Sequence, residues 1–169
     1  MKALPVVALV LLAACGDGDD VAVRRPVGTP EELAAGLATA AAELAAREEH
    51  GADEVTIQHL LVAVEGADAG ATRTPEEAQA LAAEILARAR TGEDFDLLVK
   101  NHTDDEYPGI YVLATVASDS TRVARSTLSP SLLGDAAWRL EVGEVGVVPF
   151  DAAGEHGSPL GYHLLERLK

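Results

Sequence analysis

The sequence predicts an α+β domain in which helices surround a small antiparallel sheet. Short apolar runs of alternating polarity are separated by runs with helical spacing, and the chain ends in a strand–loop–strand pattern that is typical of a β-hairpin. Hydrophobic residues make up 48% of the 169 residues, whereas aromatic residues make up only 4%. The core must therefore be built mainly from Leu, Val, Ile and Ala.

Residues 1–14 are predicted to be a signal segment and not part of the fold. Lys2 precedes an apolar run, residues 3–14, that is well short of the roughly 20 residues of a membrane-spanning helix. The run ends in Leu12-Ala13-Ala14-Cys15, which resembles the lipobox of bacterial lipoproteins, in which the cysteine is lipidated. An ordinary secretory signal is the alternative. Both predict an extracytoplasmic protein, and the lipobox predicts a lipid anchor at Cys15.

Residues 15–28 are predicted to be a flexible tether, because they are rich in Gly and Asp. The formal net charge of −15 at pH 7 argues against nucleic-acid partners and against electrostatic binding to anionic lipid. The expected membrane contact is therefore the lipid anchor alone. An acidic surface suits basic or unfolded clients, although solubility alone can account for it.

Two helix-start signals follow, Thr29-Pro30-Glu31-Glu32 and Thr74-Pro75-Glu76-Glu77. Each places Thr at the cap, Pro at the first helical position and Glu three residues after the cap. The first helix, assigned to residues 29–51, has a narrow apolar stripe. Periodicity leaves open whether it lies on the domain or is partly exposed as a client-binding arm.

The remaining elements follow from periodicity. Four strands are predicted, at residues 55–64, 110–116, 145–150 and the C-terminal end, and further helices at 75–90 and 94–101 and after Ser129-Pro130. Residues 117–126 are predicted to be a loop. Residues 52–169 are therefore expected to form the domain, with the first helix as an addition.

Two of the predicted strands carry a histidine among apolar residues. His59 shares a strand face with Ile57 and Leu61, and His163 shares one with Leu165. If the two strands pair antiparallel, the imidazoles meet on one face of the sheet. The alternative is that each histidine is a core residue satisfied by a neighbour, and periodicity alone does not separate the two.

From Val55 to its end, the chain resembles the parvulin-type peptidyl-prolyl isomerases. The resemblance implies a parvulin-like (FKBP-like) fold with a four-stranded antiparallel sheet, and cis-trans isomerase activity on proline-containing polypeptides without a cofactor. It is carried by Ile57-Gln58-His59-Leu60-Leu61-Val62, Pro75-Glu76-Glu77-Ala78, Gly92-Glu93-Asp94-Phe95, Thr103-Asp104-Asp105, residues 136–145 and Leu160-Gly161-Tyr162-His163-Leu164-Leu165.

The resemblance also implies roles for single residues. His59 and His163 match the paired active-site histidines of the family, and Asp105 falls where members have Cys or Asp. An apolar pocket for the proline ring is expected from the loop after the third helix and from the fourth helix. Its candidate residues are Leu128, Leu132, Leu133 and Phe150.

The chain departs from the family in one segment, where Gly-Gly-Asp-Leu-Gly is replaced by Pro108-Gly109-Ile110-Tyr111-Val112. The stretch between Leu128 and Trp138 is also one residue too long, which leaves the pocket register open. These changes favour an alternative, a non-catalytic chaperone or peptide-binding module on the same fold. Retention of both histidines and Asp105 opposes it.

Other site classes are not predicted. The five histidines are scattered and have no cysteine partner, so no zinc or other metal site is expected. A Gly-x-Ser-x-Gly elbow of a serine hydrolase is missing. The sequence therefore predicts an extracytoplasmic isomerase that assists folding of secreted or envelope proteins, and that faces the periplasm if the cell has an outer membrane.

Overall fold

A computed structural model describes residues 28–67, 70–116, 119–127 and 132–169. The signal segment, Cys15, most of the tether and Leu128 lie outside these ranges. No helix within them is long and apolar enough to cross a membrane. The elements are α1 (Pro30–Ala45), β1 (Glu54–Ala63), α2 (Pro75–Arg90), α3 (Phe95–His102), β2 (Ile110–Ala114), β3 (Val123–Ala124), a 3-10 helix (Arg125–Thr127), α4 (Leu132–Arg139), β4 (Val145–Val148) and β5 (Gly161–Arg167).

Both Thr-Pro-Glu-Glu signals begin helices, as predicted. Thr29 and Thr74 each accept a hydrogen bond from the backbone N–H three residues ahead, and Glu32 and Glu77 accept from the backbone N–H of the cap. Each helix thus satisfies two of its orphan N–H groups locally. α1 ends at Ala45, a few residues earlier than the sequence predicted.

The sheet has five strands in the order β3-β2-β1-β5-β4, so the prediction of four strands was wrong. The extra strand, β3, lies in the stretch predicted to be a loop and pairs parallel with β2, which makes the sheet mixed. β3 is only two residues long, and a strand that short has no alternating pattern to detect. The predicted α+β class with central antiparallel pairing is confirmed.

Helices cover both faces of the sheet and give two apolar clusters. The first packs α1, α2 and α3 against the face that carries Leu60, Val62 and Leu164. The second packs α4 against the opposite face, which carries Ile57 and Leu165. β1 is consequently buried on both sides along most of its length.

The first helix lies on the domain and is not a free arm. Leu37, Ala40 and Ala41 of α1 belong to the first cluster, and Leu44 belongs to the second. Arg47 and Glu144 add an ion pair of 2.7 Å between the segment after α1 and the domain. α1 therefore contributes to the core although the predicted domain begins after it.

A fragment that begins at Ala52 is expected to unfold cooperatively but at a lower temperature than the whole chain. It loses buried side chains such as Leu37 and Leu44, each worth roughly 1.5–3 kcal/mol when fully buried. Thermal unfolding of the fragment and of the whole chain measures the difference. A fragment without a cooperative transition would show that residues 52–169 are not an independent domain.

Candidate active site

His59 and His163 meet on the two central strands. The register pairs His59 with Leu165 and Leu61 with His163, so the two histidines are diagonal neighbours on one face of the sheet. His59 Nε2 lies 2.8 Å from His163 Nδ1, and the rings stack with centroids 5.0 Å apart. The predicted antiparallel pairing and the meeting of the imidazoles are confirmed.

Two glycines allow close backbone approach around these histidines. Gly161, where β5 begins, has φ 153°, and a Cβ at this position would collide with the Val62 carbonyl oxygen. Gly109 has φ 64°, and a Cβ would lie 2.5 Å from the His59 carbonyl oxygen. The Gly109 carbonyl accepts a hydrogen bond of 2.9 Å from the His59 N–H. Both positions therefore require glycine, which has no Cβ.

The acidic turn containing Asp105 is held by the edge of β1 that β2 leaves unpaired. The Leu61 carbonyl accepts from the Asp104 N–H at 2.8 Å, and the Ala63 N–H donates to the Asp104 carboxylate at 2.8 Å. Asp104 thus anchors the turn. Asp105 remains partly exposed, with Oδ2 3.4 Å from His59 Nδ1.

The sequence did not single out Ser158, which contacts the second histidine. Its Oγ lies 2.7 Å from His163 Nε2, and the residue is fully buried. The loop before β5 positions it, because the Ser158 N–H donates to the Pro149 carbonyl and the Ser158 carbonyl accepts from the Asp151 N–H. Nearness to His163 in a Ser-Pro turn was the only sequence signal.

A row of polar contacts joins Asp105, His59, His163 and Ser158, and the carboxylate at one end suits one direction of hydrogen bonding along the row. A carboxylate only accepts, so in the arrangement that pairs every group a proton on His59 Nδ1 faces Asp105 Oδ2 at 3.4 Å. In a neutral pair, His59 Nε2 then accepts from His163 Nδ1–H, and His163 Nε2 accepts from the Ser158 hydroxyl. Every ring nitrogen has a partner in this arrangement without a charge on either imidazole.

Burial controls the protonation of the site. Burial lowers the pKa of His163 to about 3, and the neighbouring His59 lowers it as well, while Asp105 acts in the opposite direction. The contact with His59 holds the pKa of Asp105 below its ordinary value, against the effect of partial burial. At neutral pH the site therefore contains a neutral His163 and, on the other side of His59, an ionised Asp105 carboxylate.

His163 is expected to stay neutral in the folded protein down to about pH 3. A histidine in the unfolded chain binds a proton near pH 6.5, so acidification from about 6.5 towards 3 favours the unfolded state and lowers the free energy of unfolding. NMR titration of the His163 ring measures its protonation. Uptake of a proton near pH 6.5 by the folded protein would contradict the buried, neutral assignment.

The candidate pocket residues divide between the two faces of the sheet. Leu133 is buried in the second cluster, on the histidine face, and Leu132 packs half-buried against the same cluster. Phe150 instead packs against the first cluster, with its ring 6.3 Å from that of Tyr162. The structure therefore brings Leu132 and Leu133, but not Phe150, to the side of the sheet that carries the histidines.

A second side chain that the sequence did not single out lies beside His59. Tyr111 of β2 pairs with Ile57 and so lies on the histidine face. Its ring centroid is 6.3 Å from that of His59, and the ring is half-buried against the second cluster. The sequence offered one signal for Tyr111. It lies in the segment that departs from the family, two residues before Leu113, and so shares a strand face with Leu113.

Metal ligands do not assemble in the described ranges, where no group of three or more His, Cys, Asp or Glu side chains is arranged to hold an ion. The site consists of two imidazoles, a hydroxyl, a carboxylate and apolar walls. Such groups can shape and polarise a cleft.

The sequence model of the Rotamase family, described as the PPIC-type PPIASE domain, matches residues 59–169, a range that holds both histidines, Asp105 and Ser158. Among solved structures, the peptidyl-prolyl isomerase ESS1 from Candida albicans is similar, with a TM-score of 0.54 and 19% identity over 85% of this chain and 79% of that chain. No curated protein matches the sequence.

Proposed function

The chain belongs to the PPIC-type peptidyl-prolyl isomerases, and we propose that it assists the folding of secreted or envelope proteins outside the cytoplasm. It is a parvulin-type peptidyl-prolyl cis-trans isomerase that acts on proline-containing polypeptides.

The reaction requires stabilisation of a twisted amide. Rotation about an X-Pro bond crosses a barrier of about 18–20 kcal/mol and takes tens to hundreds of seconds without a catalyst. Twisting removes amide resonance, so the carbonyl oxygen loses negative charge and the nitrogen becomes pyramidal. A site speeds the reaction when it binds this less polar, twisted form more tightly than the planar form.

The observation that carries the assignment of the site is the continuous contact line Ser158–His163–His59–Asp105. We propose that the buried, neutral His163 and the adjoining His59 ring form a floor with few free donors for a planar carbonyl oxygen. The ionised Asp105 disfavours the partial negative charge of that oxygen in the planar amide. Both effects lower the barrier to twisting.

Apolar walls complete the proposed site. Leu132 and Leu133 pack on the histidine face and are the candidate contacts for the proline ring. Phe150 remains a prediction without support from its position, and Leu128 lies outside the described residues. The net charge of −15 favours basic clients and disfavours nucleic acid.

The proposed location rests on the N-terminal sequence. Leu12-Ala13-Ala14-Cys15 at the end of a short apolar run supports lipid anchoring at Cys15. When the protein is expressed in a bacterium, the wild type is expected in the membrane fraction, and Cys15→Ala is expected to be released. A wild-type protein found wholly in the soluble fraction would refute the anchor.

A refolding experiment tests the proposed folding role. A client whose refolding is limited by X-Pro isomerisation is expected to refold faster in the presence of the protein, because the slow phase is the catalysed step. The rate of that phase should rise with protein concentration. A higher yield at an unchanged rate would instead support a non-catalytic chaperone.

A further inference from the structure

We propose that Tyr111 is a substrate-contacting residue whose ring forms a wall of the proline site and whose hydroxyl donates a hydrogen bond at the isomerising amide. This role rests on the proposed isomerase site and adds a residue outside the contact line Ser158–His163–His59–Asp105.

Tyr111 is positioned by the same sheet that positions His59. It pairs with Ile57 across β1 and β2, and the alternation of β1 places Ile57 and His59 on one face. The two rings are tilted by 54° with centroids 6.3 Å apart. The Tyr111 ring therefore flanks the imidazole at a separation typical of aromatic neighbours, and packing against the second cluster holds it there.

The Tyr111 hydroxyl makes no hydrogen bond with any residue in the described ranges. Tyr107 provides a contrast, because its hydroxyl donates to Asp96 Oδ2 at 3.0 Å although the residue is more exposed. A half-buried tyrosine beside an active-site histidine thus has a donor available for another molecule.

The surroundings keep this hydroxyl protonated. Burial raises the pKa of Tyr111, and the negative charges of Asp105 and Glu106 raise it further. Asp105 and Glu106 therefore lie close enough to Tyr111 to act on its hydroxyl electrostatically. The hydroxyl therefore remains a donor throughout the neutral range.

A donor at this position can favour the transition state. The nitrogen of a planar amide is not a hydrogen-bond acceptor, whereas the pyramidal nitrogen of the twisted amide has a lone pair. A hydrogen bond from Tyr111 to that nitrogen forms only as the bond rotates, so it should raise kcat and leave KM nearly unchanged.

The test compares Tyr111→Phe with Tyr107→Phe in isomerisation of a proline-containing peptide by the whole protein. Tyr111→Phe is expected to lower kcat about 3-fold to 10-fold, the effect of one neutral hydrogen bond, with KM and the thermal midpoint little changed. Tyr107→Phe removes a hydroxyl that faces Asp96 and is expected to match the wild type. Tyr111→Ala is expected to raise KM as well, because it removes the wall.

Two results would overturn the proposal: a Tyr111→Phe variant with the wild-type kcat, or one whose loss lies entirely in KM. The second would mean that the hydroxyl binds the planar and twisted forms equally. These results are distinct from failure of the isomerase assignment itself, in which the wild type would not accelerate the peptide and the role of Tyr111 would fall with it.

Discussion

His59→Ala and His163→Ala are each expected to slow isomerisation of a proline peptide, and the double variant is expected to be little slower than the more impaired single variant. The two imidazoles share a hydrogen bond of 2.8 Å, so removal of either one disrupts the same unit. The loss should stay well below the roughly 10⁴-fold that follows removal of a catalytic nucleophile, because apolar binding of the twisted amide remains.

Stability must be measured alongside the rate. His163 is only 2% exposed, so His163→Ala opens a cavity and leaves the Ser158 hydroxyl without an acceptor for its proton. Thermal unfolding gives the folded fraction of each variant at the assay temperature. His156→Ala is the matched control, because it removes an exposed histidine outside the pair. Activity that falls only in proportion to the folded fraction would show that the pair is structural.

Glu93→Ala is expected to cause the largest loss of stability, about 3–5 kcal/mol, because it leaves a buried arginine without its main partner. Arg88 is 8% exposed and donates to both carboxylate oxygens of Glu93, at 2.9 Å from Nε and 2.6 Å from Nη2. The other two side chains of the Gly92-Glu93-Asp94-Phe95 segment also have structural roles. Asp94 caps α3, and Phe95 lies in the core.

Glu84→Ala is the control, because Glu84 contacts the same arginine at 3.4 Å from a far more exposed position. A surface pair of this kind contributes roughly 0.3–0.5 kcal/mol. Denaturant unfolding of both variants measures the difference. Arg88 holds the pKa of Glu93 below its ordinary value, so the stabilisation is present above the unfolded pKa and is lost as the pH falls. Equal, small losses in both variants would contradict the buried-pair account.

Local chemistry explains what the sequence could predict. The helix starts depend on a cap and a residue three positions away, so Thr29 and Thr74 reveal them directly. The face of each central strand depends on a period of two, which placed His59 and His163 correctly. Both signals are complete within a few residues of the chain.

Features that depend on how a loop folds back onto the sheet could not be predicted in this way. Ser158 reaches His163 only because the loop after β4 folds back through hydrogen bonds with Pro149 and Asp151. β4 ends at Val148, because Pro149 cannot donate to a sheet ladder. The predicted strand through residue 150 therefore ends two residues early, and Phe150 packs against the first cluster.

Tyr111 illustrates a further limit. Its segment departs from the family pattern, so the resemblance implied no role for it. Its nearness to His59 arises from the register between β1 and β2, which aligns residue 111 with residue 57. A cross-strand register is fixed by the whole hairpin or crossover and is not encoded in either strand alone.

The most direct test of the account is the rate of cis-to-trans exchange in a short proline-containing peptide with and without the protein. We expect exchange well above the uncatalysed rate, whose time constant is tens to hundreds of seconds. The rate should rise in proportion to protein concentration and should be reduced in the His59→Ala/His163→Ala double variant. An exchange rate equal to that of the free peptide at every concentration of folded wild-type protein would contradict it.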